Sequence, residues 1–426
     1  MKRPDLKDLP KPLSVKDGFD LIFRRLNPKP LDCETVSTYD SIGRVLGEDI
    51  LADIDIPWFD RSTVDGYAVR FQDTVVASKS KGIRLKITGR VFPEYSATDV
   101  RVDSGEAAYV ACGASLPIGS DAVVKAEETD LLGSHIKVFH PLAQWENVLR
   151  VGEEVEKGSI ILRKGHILGA LDLGLLAMLR RTEVKVFKRP IVGIVSVGNE
   201  LTELSMEYQN KFVNSNAIIV AGLASETGAV PIILGVVGDD LKEIKNKIEG
   251  VLERLDMIIT IGGSSFGIKD LVPDAVNALG KPGIILHGIA IVPGKTIGVG
   301  MVKGKTIIIL PGRTASTIAG FYLFAAPIIN ILRGLGVIQT LPIIEAELSE
   351  RVKAKPGLET FLLVRVERIG NRLVAQPSPK ENAMINLARS HGYIIIPAGK
   401  MLNKGAKVDV IIFNINGLSP CNGDRE

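Results

Sequence analysis

Between Pro190 and Leu332 the chain repeats one hydropathic unit: an unbroken apolar run, a polar tip and a segment of helical periodicity. The runs are Ile191–Val197, Val230–Val237, Met257–Ile261 and Thr306–Leu310. Apolar β-branched runs without polar alternation predict strands covered on both faces. Their alternation with helical segments predicts a parallel, doubly wound sheet. The tips are Gly198-Asn199-Glu200, Gly238-Asp239-Asp240, the stretch from Gly262 to Asp270, and the stretch from Pro311 to Ser316. Sheets of this kind bind ligands in the crevice beyond the carboxyl ends of their strands. That crevice would gather Glu200, Asp239, Asp270 and a glycine-rich turn, an anion-plus-metal site.

The flanking patterns differ. Ser14 to Leu26 reads as an amphipathic helix with Val15, Phe19, Ile22, Phe23 and Leu26 on one face and a capping-box-like start at Ser14 and Asp17. A second short helix is expected at Tyr39–Leu46. From Arg84 to Leu162 short strands (Leu85–Ile87, Ala107–Ala111, Ala122–Lys125, Ile136–Phe139, Ile160–Leu162) alternate with glycine turns. An apolar helix over Gly169–Arg181 and a strand at Glu183–Phe187 lead into the central repeat. After Leu332, strands at Ile343–Glu347, Thr360–Glu367, Arg372–Ala375, Gly392–Pro397 and Lys407–Phe413, with one helix at Glu381–Arg389, predict a small β-rich domain. The expected fold class is therefore multidomain α/β and β. Residues 1–57 and 155–188 form a discontinuous, elongated linking domain of helix and strand, and 58–154 an inserted β-rich domain. Residues 189–333 form the α/β domain, 334–415 a C-terminal β-barrel-like domain, and 416–426 a tail.

Composition narrows the function. At 426 residues, 46% hydrophobic and 24% charged, the chain can build several cores. A net charge of +3 and 5% aromatic residues give no support for nucleic acid or a membrane surface. Cys33, Cys112 and Cys421 are far apart and form no CxxC pair, which argues against a zinc site or a disulfide framework. The start lacks an apolar signal core, and no apolar run is expected to reach the ~18 residues of a membrane span. The expectation is a cytoplasmic protein.

The tips carry the candidate chemistry. Gly262, Gly263 and Gly267, with Ser264 and Ser265, let backbone N–H groups approach an anion closely. The stretch is neither a GxGxxG nor a Walker motif, so an ordinary nucleotide-binding enzyme has no fingerprint here. Carboxylates at such tips suit Mg²⁺, which takes one or two of them with water and substrate phosphate; the plainer reading of Asp239 is a helix cap. Pro293-Gly294-Lys295 and Pro311-Gly312-Arg313 place a point charge and a bidentate fork at loops, both suited to oxyanions. His287 among apolar neighbours reads as structural, and His135, His140, His166 and His391 have no metal spacing. The loop from Pro57 to Arg70 concentrates Asp60, Arg61, Ser62 and Asp65 as coordinating groups; its Trp58 and Phe59 read as core or interface.

That loop, Pro57-Trp58-Phe59-Asp60-Arg61-Ser62-Thr63-Val64-Asp65-Gly66-Tyr67-Ala68-Val69-Arg70, resembles the signature of the molybdopterin molybdenumtransferase family, which includes bacterial MoeA proteins and the gephyrin E domain. The resemblance continues in order through Ala111–Pro117, Glu146–Glu154, Ser196–Leu201, Asn214–Asn216, Gly238–Asp240, Gly262–Asp270, Pro293–Lys295 and Pro311–Ser316. It implies four domains and a homodimer, with the molybdopterin adenylyltransferase as a further partner. It also implies a reaction: molybdate enters adenylylated molybdopterin with Mg²⁺-assisted release of AMP. Asp65, Glu200, Asp239 and Asp270 resemble the family's essential acids, the last three as metal ligands, and Ser265, Lys295 and Ser316 its oxyanion contacts; Gly262, Gly263, Gly267, Pro311, Gly312 and Arg313 complete the substrate site. The chain departs from the pattern at Cys112 (usually Thr), Asn199 (usually Asp), Val292 to Thr296 (usually a basic residue, then Pro-Gly-Lys-Pro), Leu149 to Val151, where the arginine cluster before Gly152 is thinned, and Pro311 to Thr314 (usually Pro-Gly-Asn-Pro). Arg313 restores one positive charge. The alternative is a weakened paralogue that holds a pterin or a partner without turnover.

Overall fold

The structure, a computed structural model, describes residues 12–94, 98–204, 210–264, 271–336, 340–378 and 384–415. The chain divides into two compact units. One takes the residues up to Gly47, Gly165–Gly169 and the chain from Glu183 onward; the other takes Glu48–Lys164 and Ala170–Thr182.

The first unit is built on a six-stranded sheet: β1 (Ile191–Val197), β2 (Val230–Val237), β3 (Met257–Ile261), β4 (Pro282–His287), β5 (Gly298–Val302) and β6 (Lys305–Leu310). Its spatial order is β2-β1-β3-β6-β5-β4. Strands β2, β1, β3 and β6 are parallel, β5 runs antiparallel to β6, and β4 pairs antiparallel to β5, so the sheet is mixed rather than wholly parallel. Strand β5 has glycine at two of its five positions, and its short connection to β6 at Lys303-Gly304 leaves no room for a crossover helix.

Helices α1 (Ser215–Glu226), α2 (Leu241–Val251), α3 (Leu271–Leu279) and α4 (Thr314–Leu332) cover both faces. The period of two decides which residue meets which helix. Val192, Ile194, Met257, Ile259, Ile261, Ile308 and Leu310 share one core with α1 and α4. Val197, Ile258, Ile307 and Ile309 share another with α2 and α3. Both faces of β1, β3 and β6 are buried, which is why these strands read as continuous apolar runs; β2, at the edge, is partly exposed.

Helix α4 corrects an expectation. It runs 19 residues without a charge and is long and apolar enough to cross a membrane by composition alone, but 83% of it is buried within the unit. It is a core helix. A π turn at Phe321–Ala325 precedes Pro327, whose missing N–H a regular helix would leave as a gap in the ladder.

The amphipathic helix forms over Val15–Leu26, and Ser14 caps it by accepting from Asp17 N–H at 3.1 Å. Its Ile22 and Leu26 join the core shared with α4. The short helix expected at Tyr39–Leu46 is absent: a single 3₁₀ turn spans Thr38–Asp40, and Val45 and Leu46 instead bridge to Ile167 and Val186. In the C-terminal part, strands Ile343–Leu348, Glu359–Ile369, Arg372–Pro377, Gly392–Ile396 and Lys407–Ile412 close into a five-stranded barrel, because Glu359–Ile369 pairs at both ends of the series. Strand Ile291–Val292 adds in parallel to Glu359 and Thr360 and ties the sheet's loop to the barrel.

The second unit contains a six-stranded sheet of order Ala122–Lys125, Gly66–Val69, Glu106–Val110, Ile83–Val91, His135–Val138, Thr129–Leu132. Alternation sends Tyr67 and Val69 into one core and Ala68 into the other. The helix Ala170–Met178 buries Leu176 while Leu171 is 90% exposed.

Candidate functional site

The carboxyl ends of β1, β2, β3 and β6 open on a cleft of about 650 Å³. Its lining includes Glu200, Asp239, Gly262, Gly263, Lys295, Pro311, Gly312, Arg313 and Ser316. Nine residues singled out by pattern and resemblance, spread over more than a hundred positions of sequence, thus meet at one mouth. Ser265, Gly267 and Asp270 lie outside the described residues. Asp65 stands in the other unit.

Local chemistry explains how each tip is held. Asp240 caps α2 by accepting from Lys242 and Glu243 N–H, both at 2.9 Å, so the capping role falls to Asp240 and not to Asp239. Asp239 instead pairs with the neighbouring tip. Its N–H donates to Asn199 Oδ1 at 3.2 Å, and Asn199 N–H reaches its Oδ2 at 3.5 Å. Asn199 makes this contact as a neutral acceptor, where an aspartate would set a second carboxylate beside Asp239. Gly262 donates to Leu310 O at 2.9 Å and holds φ +91°. The Pro311 tip is braced by Thr317 Oγ1 donating to Pro311 O at 2.7 Å and by Asn216 Nδ2 donating to Gly312 O at 2.7 Å. Thr314, where the resemblance leads to proline, donates to Asn216 Oδ1 at 2.8 Å and so joins the same brace.

The cleft also holds residues that pattern alone did not single out as ligand contacts. Lys355 enters from the barrel side, with Leu358. The signal was present: Lys355-Pro356-Gly357 carries the same three residue types as the two Pro-Gly-cation turns. Ser264 is 4% exposed, and its Oγ lies 3.3 Å from Thr296 Oγ1, again a departure position put to structural use. Lys295, Arg313 and Lys355 are exposed, as is Glu200; Asp239 is half-buried. The cleft therefore brings three cationic and two carboxylate side chains together. Among the described residues no three potential metal-ligating side chains cluster.

His287 braces the tip from below. Burial is the main influence on it and lowers its pKa, against a backbone hydrogen bond to Ser264 and the charge of Asp274, which act the other way. Its folded pKa lies below the usual 6.5, so between 6.5 and that value the unfolded chain binds more protons. Stability is then fully present above 6.5 and is lost as pH falls through this window. The urea midpoint is expected to drop between pH 7.5 and 5.5, and to drop less in His287→Gln. An equal slope in both proteins would remove the assignment.

In the second unit the polar groups of the signature loop are bonded within that unit. Asp60 Oδ1 accepts from Val151 N–H at 2.8 Å, Ser62 Oγ donates to Val64 O at 2.6 Å, and Arg61 faces Glu154 at 3.5 Å. Asp65 Oδ1 accepts from Cys112 N–H at 3.0 Å, which leaves its second oxygen for other use. Trp58 is 53% exposed, edge-on to Phe59 at 5.5 Å and beneath Arg180 at 5.8 Å, so it is not a core residue of this unit.

A multidomain protein with a doubly wound domain, a cleft lined by cationic and carboxylate side chains at its strand ends and a C-terminal β-barrel is the class these features define. Three family descriptions match it in order: the MoeA N-terminal region (domain I and II) over residues 13–179, the probable molybdopterin binding domain over 193–330, and the MoeA C-terminal region (domain IV) over 345–413. The chain is 31% identical to the molybdopterin molybdenumtransferase of Staphylococcus aureus (strain COL) across 94% of its own length and 96% of the relative's. It is 31% identical to that of Bacillus subtilis (strain 168) across 89% and 90%. A solved molybdopterin biosynthesis MoeA protein from Pyrococcus horikoshii OT3 superposes with a TM-score of 0.82 at 29% identity, covering 95% of this chain and all of that one. The chain belongs to the molybdopterin molybdenumtransferase (MoeA) family.

Proposed function

We propose that this protein is a cytoplasmic enzyme of molybdenum cofactor biosynthesis that inserts molybdate, or the equally tetrahedral tungstate, into adenylylated molybdopterin and releases AMP. The observation that carries the proposal is the convergence of Glu200, Asp239, Gly262, Lys295 and Arg313 on one cleft. Lys295, Arg313 and Lys355 would bind the phosphate and the metal oxyanion, and Gly262 and Gly263 admit the anion close to the backbone. Glu200 and Asp239 fit Mg²⁺, which needs only one or two carboxylates; when bound it would neutralise the phosphate charge. Asp270 as a metal ligand, Ser265, Gly267 and Ser316 as substrate contacts, and Asp65 as an essential acid complete the proposed set. The working form is proposed to be a homodimer supplied by the molybdopterin adenylyltransferase.

The test is direct. With adenylylated molybdopterin, Mg²⁺ and molybdate, the protein is expected to release AMP, and Lys295→Ala to slow that release by roughly a hundredfold, as loss of one anion-stabilising donor does. Asn199 and Arg313, which depart from the family pattern, favour one other outcome: pterin binding without AMP release. That result would replace turnover with a carrier or scaffold role.

A further inference from the structure

A second cavity, of about 520 Å³, is lined by Arg189, Arg333, Tyr322, Tyr393, Phe413 and Glu226, among others. Topology sets it apart from the cleft. Arg189 precedes β1, Thr227 and Gly228 precede β2, and Arg333 follows α4, so the cavity lies at the amino ends of the parallel strands.

Its polar lining includes two arginines and two tyrosine hydroxyls. Arg189 makes no hydrogen bond or ion pair among the described residues. Arg333 is 9% exposed and donates to the carbonyls of Thr227 and Gly43, the latter at 3.3 Å, but pairs with no carboxylate among the described residues. Burial, then the like charges of Arg189 and Arg44, hold it below its usual pKa. Arg44 is itself paired with Glu34, so the surplus positive charge belongs to Arg189 and Arg333. Tyr322 and Tyr393 are 8% and 4% exposed, and neither hydroxyl has a hydrogen-bond partner among the described residues. Burial pushes both phenols up, Tyr393 to about 12, which keeps them protonated. Neither hydroxyl is among the buried side-chain atoms left without a partner, so both reach the cavity's solvent and stand open to a ligand.

The plainer account is helix capping: Arg333 meets the carboxyl end of α1, where a cation is favoured. It explains Arg333 alone. It leaves Arg189 and both tyrosine hydroxyls lining the cavity without a protein partner among the described residues. The apolar share of the lining is aromatic, with Tyr322 stacked on Phe413 at 5.3 Å between ring centroids.

We propose that this cavity binds a small aromatic oxyanion, a carboxylate or phosphate monoester carried on a planar ring, with its acid group held by Arg189 beside Arg333. Glu226, whose charge acts on Tyr322, suits together with that hydroxyl a hydroxyl or ammonium group on the ligand's other end. The site is independent of the catalytic reading.

Phenyl phosphate, benzoate and neutral benzyl alcohol serve as probes, titrated calorimetrically into the full chain. Saturable binding of phenyl phosphate or benzoate is expected, with the tighter of the two identifying the acid group. It should weaken about tenfold or more in Arg189→Gln, the worth of a charged hydrogen bond, and survive in Lys295→Ala. Arg189 is exposed and unpaired, so its replacement should leave the melting temperature unchanged. Binding of neither acid, equal binding of benzyl alcohol, unaltered affinity in Arg189→Gln or loss of the site in Lys295→Ala would each overturn the proposal.

Discussion

Gly262→Ala is expected to lower AMP release by about a hundredfold or more, the cost of misplacing a reacting group by an ångström. Two separate constraints meet at this residue. Its φ of +91° lies where a side chain is strained by ~1–2 kcal/mol. A Cβ there would also stand 2.3 Å from the carbonyl oxygen of Val197. That oxygen belongs to the end of β1, and Gly262 N–H is bonded to Leu310 O at the end of β6. The tip is thus wedged between two strands that are themselves fixed in the sheet, and it can only move outward into the cleft. Turnover should fall much further than stability, measured as AMP release beside the urea midpoint. A variant with normal turnover would show that the glycine-rich turn takes no part in the site.

Phe321→Ala is expected to destabilise the protein by about 3–5 kcal/mol, the range for emptying an aromatic site in a closed core. Phe321 is 0% exposed and packs edge-on to Tyr322 at 5.7 Å. It sits in the π turn of α4, within a core that also takes Ile22, Leu26, Phe361 and Leu363. Rigid neighbours on every side leave little scope for collapse into the void. Equilibrium unfolding in urea, compared at constant slope, measures the loss. A change below about 1 kcal/mol would mean that this core closes around the gap.

The parts of the fold that could be read in the sequence were those fixed by local pattern. Ile191–Val197, Val230–Val237 and Met257–Ile261 begin and end where their apolar runs do: Ile191–Val197 and Met257–Ile261 are covered on both faces and tolerate no polar interruption, whereas Val230–Val237 keeps its apolar run at the sheet edge while partly exposed. Strands Pro282–His287 and Gly298–Val302 escaped notice because their glycines imitate a loop; only their pairing beside β6 makes them strands. The Tyr39–Leu46 helix failed for a tertiary reason. Gly43 adopts φ +72°, and the backbone of Val45 and Leu46 finds partners far along the chain. In the cleft, Glu200, Asp239 and Lys295 stand at tips that follow or flank strands, a position that topology predicts. Lys355 does not. It lies in another domain, and it reaches the cleft through the pairing of Ile291 and Val292 with Glu359 and Thr360, a non-local contact that no window of residues reveals.

The uncharged helix α4 has a consequence for how the chain is made. Its covering is assembled from both directions: Ile22 and Leu26 have long left the ribosome when Thr314–Leu332 emerges, but Phe361, Leu363 and Tyr393 have not. For some sixty residues of synthesis, by the numbering of Leu332 and Tyr393, a nineteen-residue greasy segment has only part of its shelter. A chain that stopped after Leu332 would keep the cleft's strands yet leave that flank bare, inviting aggregation or stray capture by a bilayer.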